Sequence, residues 1–95
     1  MAYGIVHHFP GGTKEQYEAV KNKVHPKDGL PKGHTDHYAG TTDQGFMVMA
    51  IWDSKDSYDD FMQNTLGPAI AELGDKAFPN PPYTSEFEVQ NEEHA

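Results

Sequence analysis

The sequence predicts one α+β domain whose elements follow the order βαββαβ. Two observations carry the prediction. The run Gly45-Phe-Met-Val-Met-Ala-Ile-Trp52 is apolar throughout, as a strand covered on both faces must be. It passes into Tyr58, Phe61, Met62, Leu66, Ala69, Ile70 and Leu73, a stripe at helical spacing.

The first strand spans Tyr3 to Phe9, where Ile5, Val6 and the aromatic residues favour pleated structure and Pro10-Gly11-Gly12 ends it. Helix one follows, with Thr13 and Gln16 as a capping box and Tyr17, Val20 and Val24 on its buried side, until His25-Pro26 stops it. Residues 26–33 read as a loop. A second strand occupies about His34 to Gly40, and Thr41 to Gly45 joins it to the apolar third strand as a hairpin. Helix two begins at Asp53-Ser54, whose side chains can cap free amides. Gly67-Pro68 should kink or restart it, because Pro68 cannot donate a backbone hydrogen bond and clashes with the carbonyl of Asn64. After Phe78-Pro-Asn-Pro-Pro82 comes a fourth strand over Tyr83 to Gln90, with Tyr83, Ser85, Phe87 and Val89 alternating against Thr84, Glu86 and Glu88. This order is the ferredoxin-like α+β arrangement with an antiparallel sheet, as a single domain over residues 1–95 with a polar tail over 91–95.

One chain of this length has helices for only one sheet face, so the two-faced third strand also predicts a partner. Phe46, Val48, Ala50 and Trp52 would face the helices, and Met47, Met49 and Ile51 a second copy of the molecule. The chain itself is therefore the first expected partner.

Fifteen acidic residues against seven lysines and no arginine give a formal net charge of −8. That field repels nucleic acid, and the missing guanidinium fork disfavours phosphate and carboxylate substrates. An uncharged or cationic ligand suits it. With no cysteine there is no disulfide frame or thiolate nucleophile. No stretch approaches the roughly 20 apolar residues of a membrane span. The expectation is a cytoplasmic protein that engages no membrane.

The run Ile51-Trp-Asp-Ser-Lys-Asp-Ser-Tyr-Asp-Asp-Phe61, followed by Leu66-Gly-Pro-Ala-Ile70 and preceded by Val6-His-His-Phe-Pro-Gly-Gly-Thr13, resembles the antibiotic-biosynthesis-monooxygenase-like family. The resemblance implies a dimeric α/β barrel in which two sheets meet back to back and each subunit keeps a pocket between its sheet and its helices. It leaves the chemistry open, since such folds include cofactor-free monooxygenases, lactone isomerases, haem degraders and proteins without known activity. In the haem-degrading branch a Trp ends the third strand, an Asn stands in the first and a His in the second helix ligates iron. Trp52 matches the first and His7 sits near the second, but helix two has no histidine. Haem binding is the lesser alternative and would have to use His7, His8, His34 or His37.

A cofactor-free oxygenase needs a base, and a neutral imidazole suits that task near pH 7. Alternation puts Ile5, His7 and Phe9 on one face, and the resemblance turns His7 and Trp52 toward the pocket. His7 is the candidate base, with Trp52 and Tyr38 beside it at the catalytic centre. Ile5, Phe46, Val48, Tyr58, Phe61 and Asn64 would line a pocket for a small apolar or aromatic ligand, with Tyr38, Tyr58 or Asn64 hydrogen-bonding a ligand oxygen. For Trp52 and Phe61, simple core packing is the stronger reading than direct catalysis, since core stripes are the default. Strict alternation turns His7 and His8 opposite ways, and likewise His34 and His37. A metal site would need a histidine from each strand plus a carboxylate such as Asp36 on one face. Neither metal nor cofactor is expected. Asp53, Asp56, Asp59 and Asp60 read as a solvated, dipole-stabilising helix end. The competing reading is a non-catalytic ligand-binding or structural dimer, its histidines structural and its pocket filled by side chains.

Overall fold

The structure is a computed structural model describing residues 2–25 and 29–95, so residues 26–28 of the expected loop lie outside the described residues. Its elements are β1 (Tyr3–Pro10), α1 (Lys14–Val24), β2 (His34–Thr42), β3 (Gly45–Trp52), α2 (Lys55–Phe61), a π-helical turn over Met62–Leu66, α3 (Gly67–Leu73), a short 3-10 turn over Gly74–Lys76, and β4 (Tyr83–Glu88). The sheet order is β2-β3-β1-β4 and every pairing is antiparallel, which is the ferredoxin-like arrangement.

The caps form as their residue types dictate. The Thr13 side chain accepts from the Gln16 amide at 3.2 Å, and the Gln16 side chain accepts from the Thr13 amide at 2.9 Å. Ser54 caps α2 through the Ser57 amide at 3.2 Å. Gly45 is required where it stands: its φ is +150°, and a Cβ there would lie 2.2 Å from the Phe9 carbonyl oxygen.

In β3 the inner residues Phe46, Val48, Ala50 and Trp52 are buried, while Met47 and Met49 stay exposed. With Tyr3, Ile5 and Tyr58 the inner set makes the core, against which Phe61 and Met62 pack. Ile5 is fully buried on the central strand β1. Lys23 of α1 and Glu72 of α3 pair at 3.0 Å across the helical layer.

Pro68 enters α3 behind the wide turn rather than at a sharp kink. The Gly67 amide donates to the Met62 carbonyl, five residues back, so the backbone register has already shifted before the proline is reached.

β2 departs from alternation. The pairing shifts between His34 and Asp36, so Thr35 is an extra residue against β3. Its hydroxyl donates to the Ile51 carbonyl at 3.2 Å, which satisfies a group near the interrupted ladder. The bulge puts His34 and His37, opposite Trp52 and Ala50, on the same inner face. The expectation that they face apart is therefore corrected.

The other sheet face carries Val6, Met47, Met49, Ile51, Tyr38, Tyr83 and Phe87, as the pairing registers place them. Phe87 lies so close over Gly4 that a Cβ there would be 2.2 Å from its ring. No helix covers this face among the described residues. Nor, among those residues, is any helix long and apolar enough to cross a membrane.

Candidate functional site

Between the inner sheet face and the helices lies an open-mouthed cleft of about 80 Å³ with an almost wholly apolar lining. β1 and β3 supply its floor through His7, Phe9, Val48 and Ala50; α1 supplies Val20 and Val24. Tyr58, Phe61, Met62 and Leu66 of the second helical arm complete it, so the π-helical turn forms part of the wall.

His7 reaches the cleft because β1 is regular: Tyr3, Ile5, His7 and Phe9 share the inner face. Burial pushes its imidazole below the ordinary value, against a weaker pull upward from the Glu86 carboxylate. Its Nδ1 stands 2.9 Å from the Thr84 hydroxyl oxygen on the neighbouring strand. In the tautomer with the proton on Nδ1, that contact is a donated hydrogen bond and Nε2 is left with the lone pair a base needs. The Tyr58 phenol, buried on α2, is pushed up to about 12, chiefly by burial and then by Glu86, so it stays protonated and can donate.

At the other end of the cleft stand His25, His34 and His37, brought together by the end of α1 and the bulge in β2. His34 stacks on Trp52 with ring centroids 4.4 Å apart and planes inclined by 17°. The Tyr17 hydroxyl lies 2.5 Å from His37 Nε2. Burial, then the neighbouring imidazole of His25, holds His34 down to about 4, with Asp36 opposing; burial, then His34, His25 and Lys21, does the same for His37. Both are neutral at pH 7.

The expected site residues thus divide. His7, Val48, Tyr58 and Phe61 meet at the cleft. Trp52 and Ile5 are core residues beneath it, 2% and 0% exposed. Phe46 is buried against Tyr17, with centroids 4.8 Å apart, beside the cleft rather than in it. Two assignments are corrected. Tyr38 pairs with Met49 on the outer sheet face, 65% exposed, because the bulge shifts β2 by one residue. Asn64 points to solvent and donates to Asp60 at 2.7 Å, since the π turn carries it off the buried stripe. Of the acidic cluster, Asp59 pairs with Lys55 at 2.7 Å on the exposed side of α2.

Sequence reading missed the histidine trio and the contributions of Met62 and Leu66. The helical stripe signalled the last two as core; nothing in the one-dimensional pattern marks the bulge.

No family model matches the sequence, and no curated protein matches it. Solved structures do. A protein described as a candidate antibiotic biosynthesis monooxygenase from Chloroflexus aurantiacus J-10-fl superposes with TM-score 0.69 at 15% identity, covering 100% of this chain and 98% of its own. The chain shares its fold. A monooxygenase from the gene ActVA-Orf6 of Streptomyces coelicolor, in complex with nanaomycin D, gives TM-score 0.57 at 16% identity over 99% of this chain and 91% of its own. A single-site variant of MhuD with two manganese protoporphyrin IX bound per active site gives 0.63 at 19% identity over all of both chains. α2 and α3 carry no histidine, so the iron ligand that the resemblance implies for the haem-degrading branch is missing from the second helical arm.

Proposed function

We propose that the protein is a homodimer that binds a small, flat, largely apolar molecule in the cleft and oxygenates it without a bound cofactor, with His7 as the base. The observation that carries this reading is a neutral imidazole on a central strand, held by Thr84 at the floor of an apolar cleft. The monooxygenases of the same fold support it.

The step suited to these groups begins with an activated methylene between aromatic rings. His7 takes a proton, the carbanion transfers electrons to dioxygen and combines with it, and the hydroperoxide loses water to give a ketone. One methylene and one dioxygen thus yield one ketone and one water. Both methylene hydrogens leave in the water, and the two oxygen atoms divide between the products. Tyr58 can donate to the ligand oxygen that carries the delocalised charge. The substrate supplies all four electrons.

The dimer reading rests on the outer sheet face. Met47, Met49 and Phe87 are 37%, 43% and 46% exposed there, beside Val6 and Ile51, an apolar patch of the kind that a partner covers.

A second reading has its own observation. The cleft volume of about 80 Å³ is below the ~150 Å³ of a closed cavity that holds benzene. A rigid cleft of that size favours a binding or structural dimer without turnover. Oxygen consumption with a panel of anthrones and hydroxynaphthalenes separates the two. The oxygenase reading expects uptake of one dioxygen per ketone formed, lost in His7→Ala while circular dichroism is unchanged. Uptake that persists in His7→Ala, or none with any member of the panel, refutes it.

A further inference from the structure

We propose that His25, His34 and His37 form a binding site for one divalent transition metal ion of the zinc class, with an open coordination position facing the cleft. The inference is independent of the oxygenase reading and of His7.

Among the described residues, these three histidines each offer a ring nitrogen, and the three nitrogens lie within 4.8 Å of one another. His34 Nε2 and His37 Nδ1 are 3.3 Å apart. Two nitrogens bound to a tetrahedral ion at about 2.0–2.1 Å sit about 3.4 Å apart, so this pair already has the spacing of two ligands. The ring planes are steeply inclined, by 89° between His25 and His34, 81° between His25 and His37 and 66° between His34 and His37. Imidazoles that stack on one another present parallel edges; imidazoles converging on a common point are splayed in this way.

The surroundings fix the rings from behind. Trp52 stacks on His34, and Tyr17 holds Nε2 of His37, which aims Nδ1 at the gap. With the His37 proton on Nε2 and donated to the Tyr17 oxygen, Nδ1 carries a lone pair; this is the usual way an outer partner sets the tautomer of a ligating histidine. His34 is 8% exposed, so its Nε2, 3.3 Å from His37 Nδ1, is shielded from bulk water. Lys21 lines the same cleft and opposes a cation, but the net charge of −8 favours one.

All-imidazole ligation suits zinc, copper, nickel or iron rather than magnesium or calcium, and three protein ligands with a fourth position open is the pattern of reactive rather than purely structural zinc sites. His25, His34 and His37 all border the cleft, so the fourth ligand would be water or a ligand atom lying there.

The test uses the full, untagged chain stripped with EDTA and titrated with Zn2+ by calorimetry and with Co2+ by visible absorption. The expected result is one ion per chain with micromolar or tighter affinity, and the intense visible bands of four-coordinate cobalt. His25→Ala, at a half-buried helix end where folding is little affected, should weaken binding by more than the roughly 10–100-fold that loss of an outer partner produces. Tyr17→Phe should fall within that range, and His8→Ala should change nothing. Absence of binding by the wild type, or unchanged affinity in His25→Ala, overturns the proposal; the latter would place the ion elsewhere, as at His94 and Glu92 in the tail, whose side chains lie 3.6 Å apart.

Discussion

Acidification from pH 7 to pH 5 should destabilise the metal-free protein, and His34 sets the size of the effect. Its imidazole is 8% exposed and is held down to about 4 by burial and by His25, from an ordinary value of 6.5. At pH 7 both folded and unfolded forms are mostly neutral and nothing is lost. Between pH 6.5 and 4 the unfolded chain binds a proton that the folded chain refuses, so stability falls as pH falls through this window. At pH 5 the loss from His34 alone is about 2 kcal/mol. His37 acts in the same sense but less, because its ring is more exposed and part of its shift is repulsion from His34. Of the groups around His34, His25 opposes its protonation and Asp36 favours it, while the His37 ring stands 3.3 Å away. Urea unfolding in EDTA is the assay, and about 2 kcal/mol corresponds to a midpoint lower by roughly 1–2 M. The background runs the other way: the −8 charge is relieved as pH approaches the isoelectric point near 5.0, which by itself stabilises the compact state. A wild type whose midpoint responds to the change from pH 7 to pH 5 no differently from that of His34→Gln, which carries the same background, would refute the buried neutral trio.

Ile5→Ala should cost about 2–5 kcal/mol in urea unfolding, since the residue is fully buried on a central strand. Met49→Asp should leave circular dichroism intact while sedimentation shows a monomer; a mutant that remains dimeric would place the interface elsewhere. Gly4→Ala should displace Phe87, whose ring occupies the space of the added methyl, and weaken self-association without unfolding the core. The pH profile of kcat/KM for any substrate found should retain its acid side below pH 6.5, because burial lowers His7; an acid limb centred above 6.5 would exclude it as the base.

The elements with strong local chemistry were legible in the sequence. Thr13 with Gln16 and Ser54 cap helices where their hydroxyls and amides allow, and β3 alternates as its apolar pattern requires. The resemblance of Ile51–Phe61 and Leu66–Ile70 implied the fold that is found. The shared face of Ile5, His7 and Phe9 could be read too, because nothing interrupts β1. What could not be read depends on single-residue shifts of register. The extra residue at Thr35 moves His37 inward and Tyr38 outward, and it is stabilised by a hydrogen bond to Ile51 that exists only once β2 and β3 have paired. The wide turn before Pro68 likewise carries Asn64 out to Asp60, since the backbone relieves the proline by changing its hydrogen-bond spacing rather than by breaking. His25 joins the trio through the end of α1, a contact distant from strand periodicity.

The cleft as a ligand site is tested most directly by chemical-shift mapping of the labelled protein against a soluble anthrone or hydroxynaphthalene under nitrogen. Saturable shifts confined to His7, Val48, Phe61 and Met62 are expected. Shifts gathered instead on Met47, Met49 and Tyr38 of the outer face, or none at saturating ligand, would contradict the cleft as the ligand site.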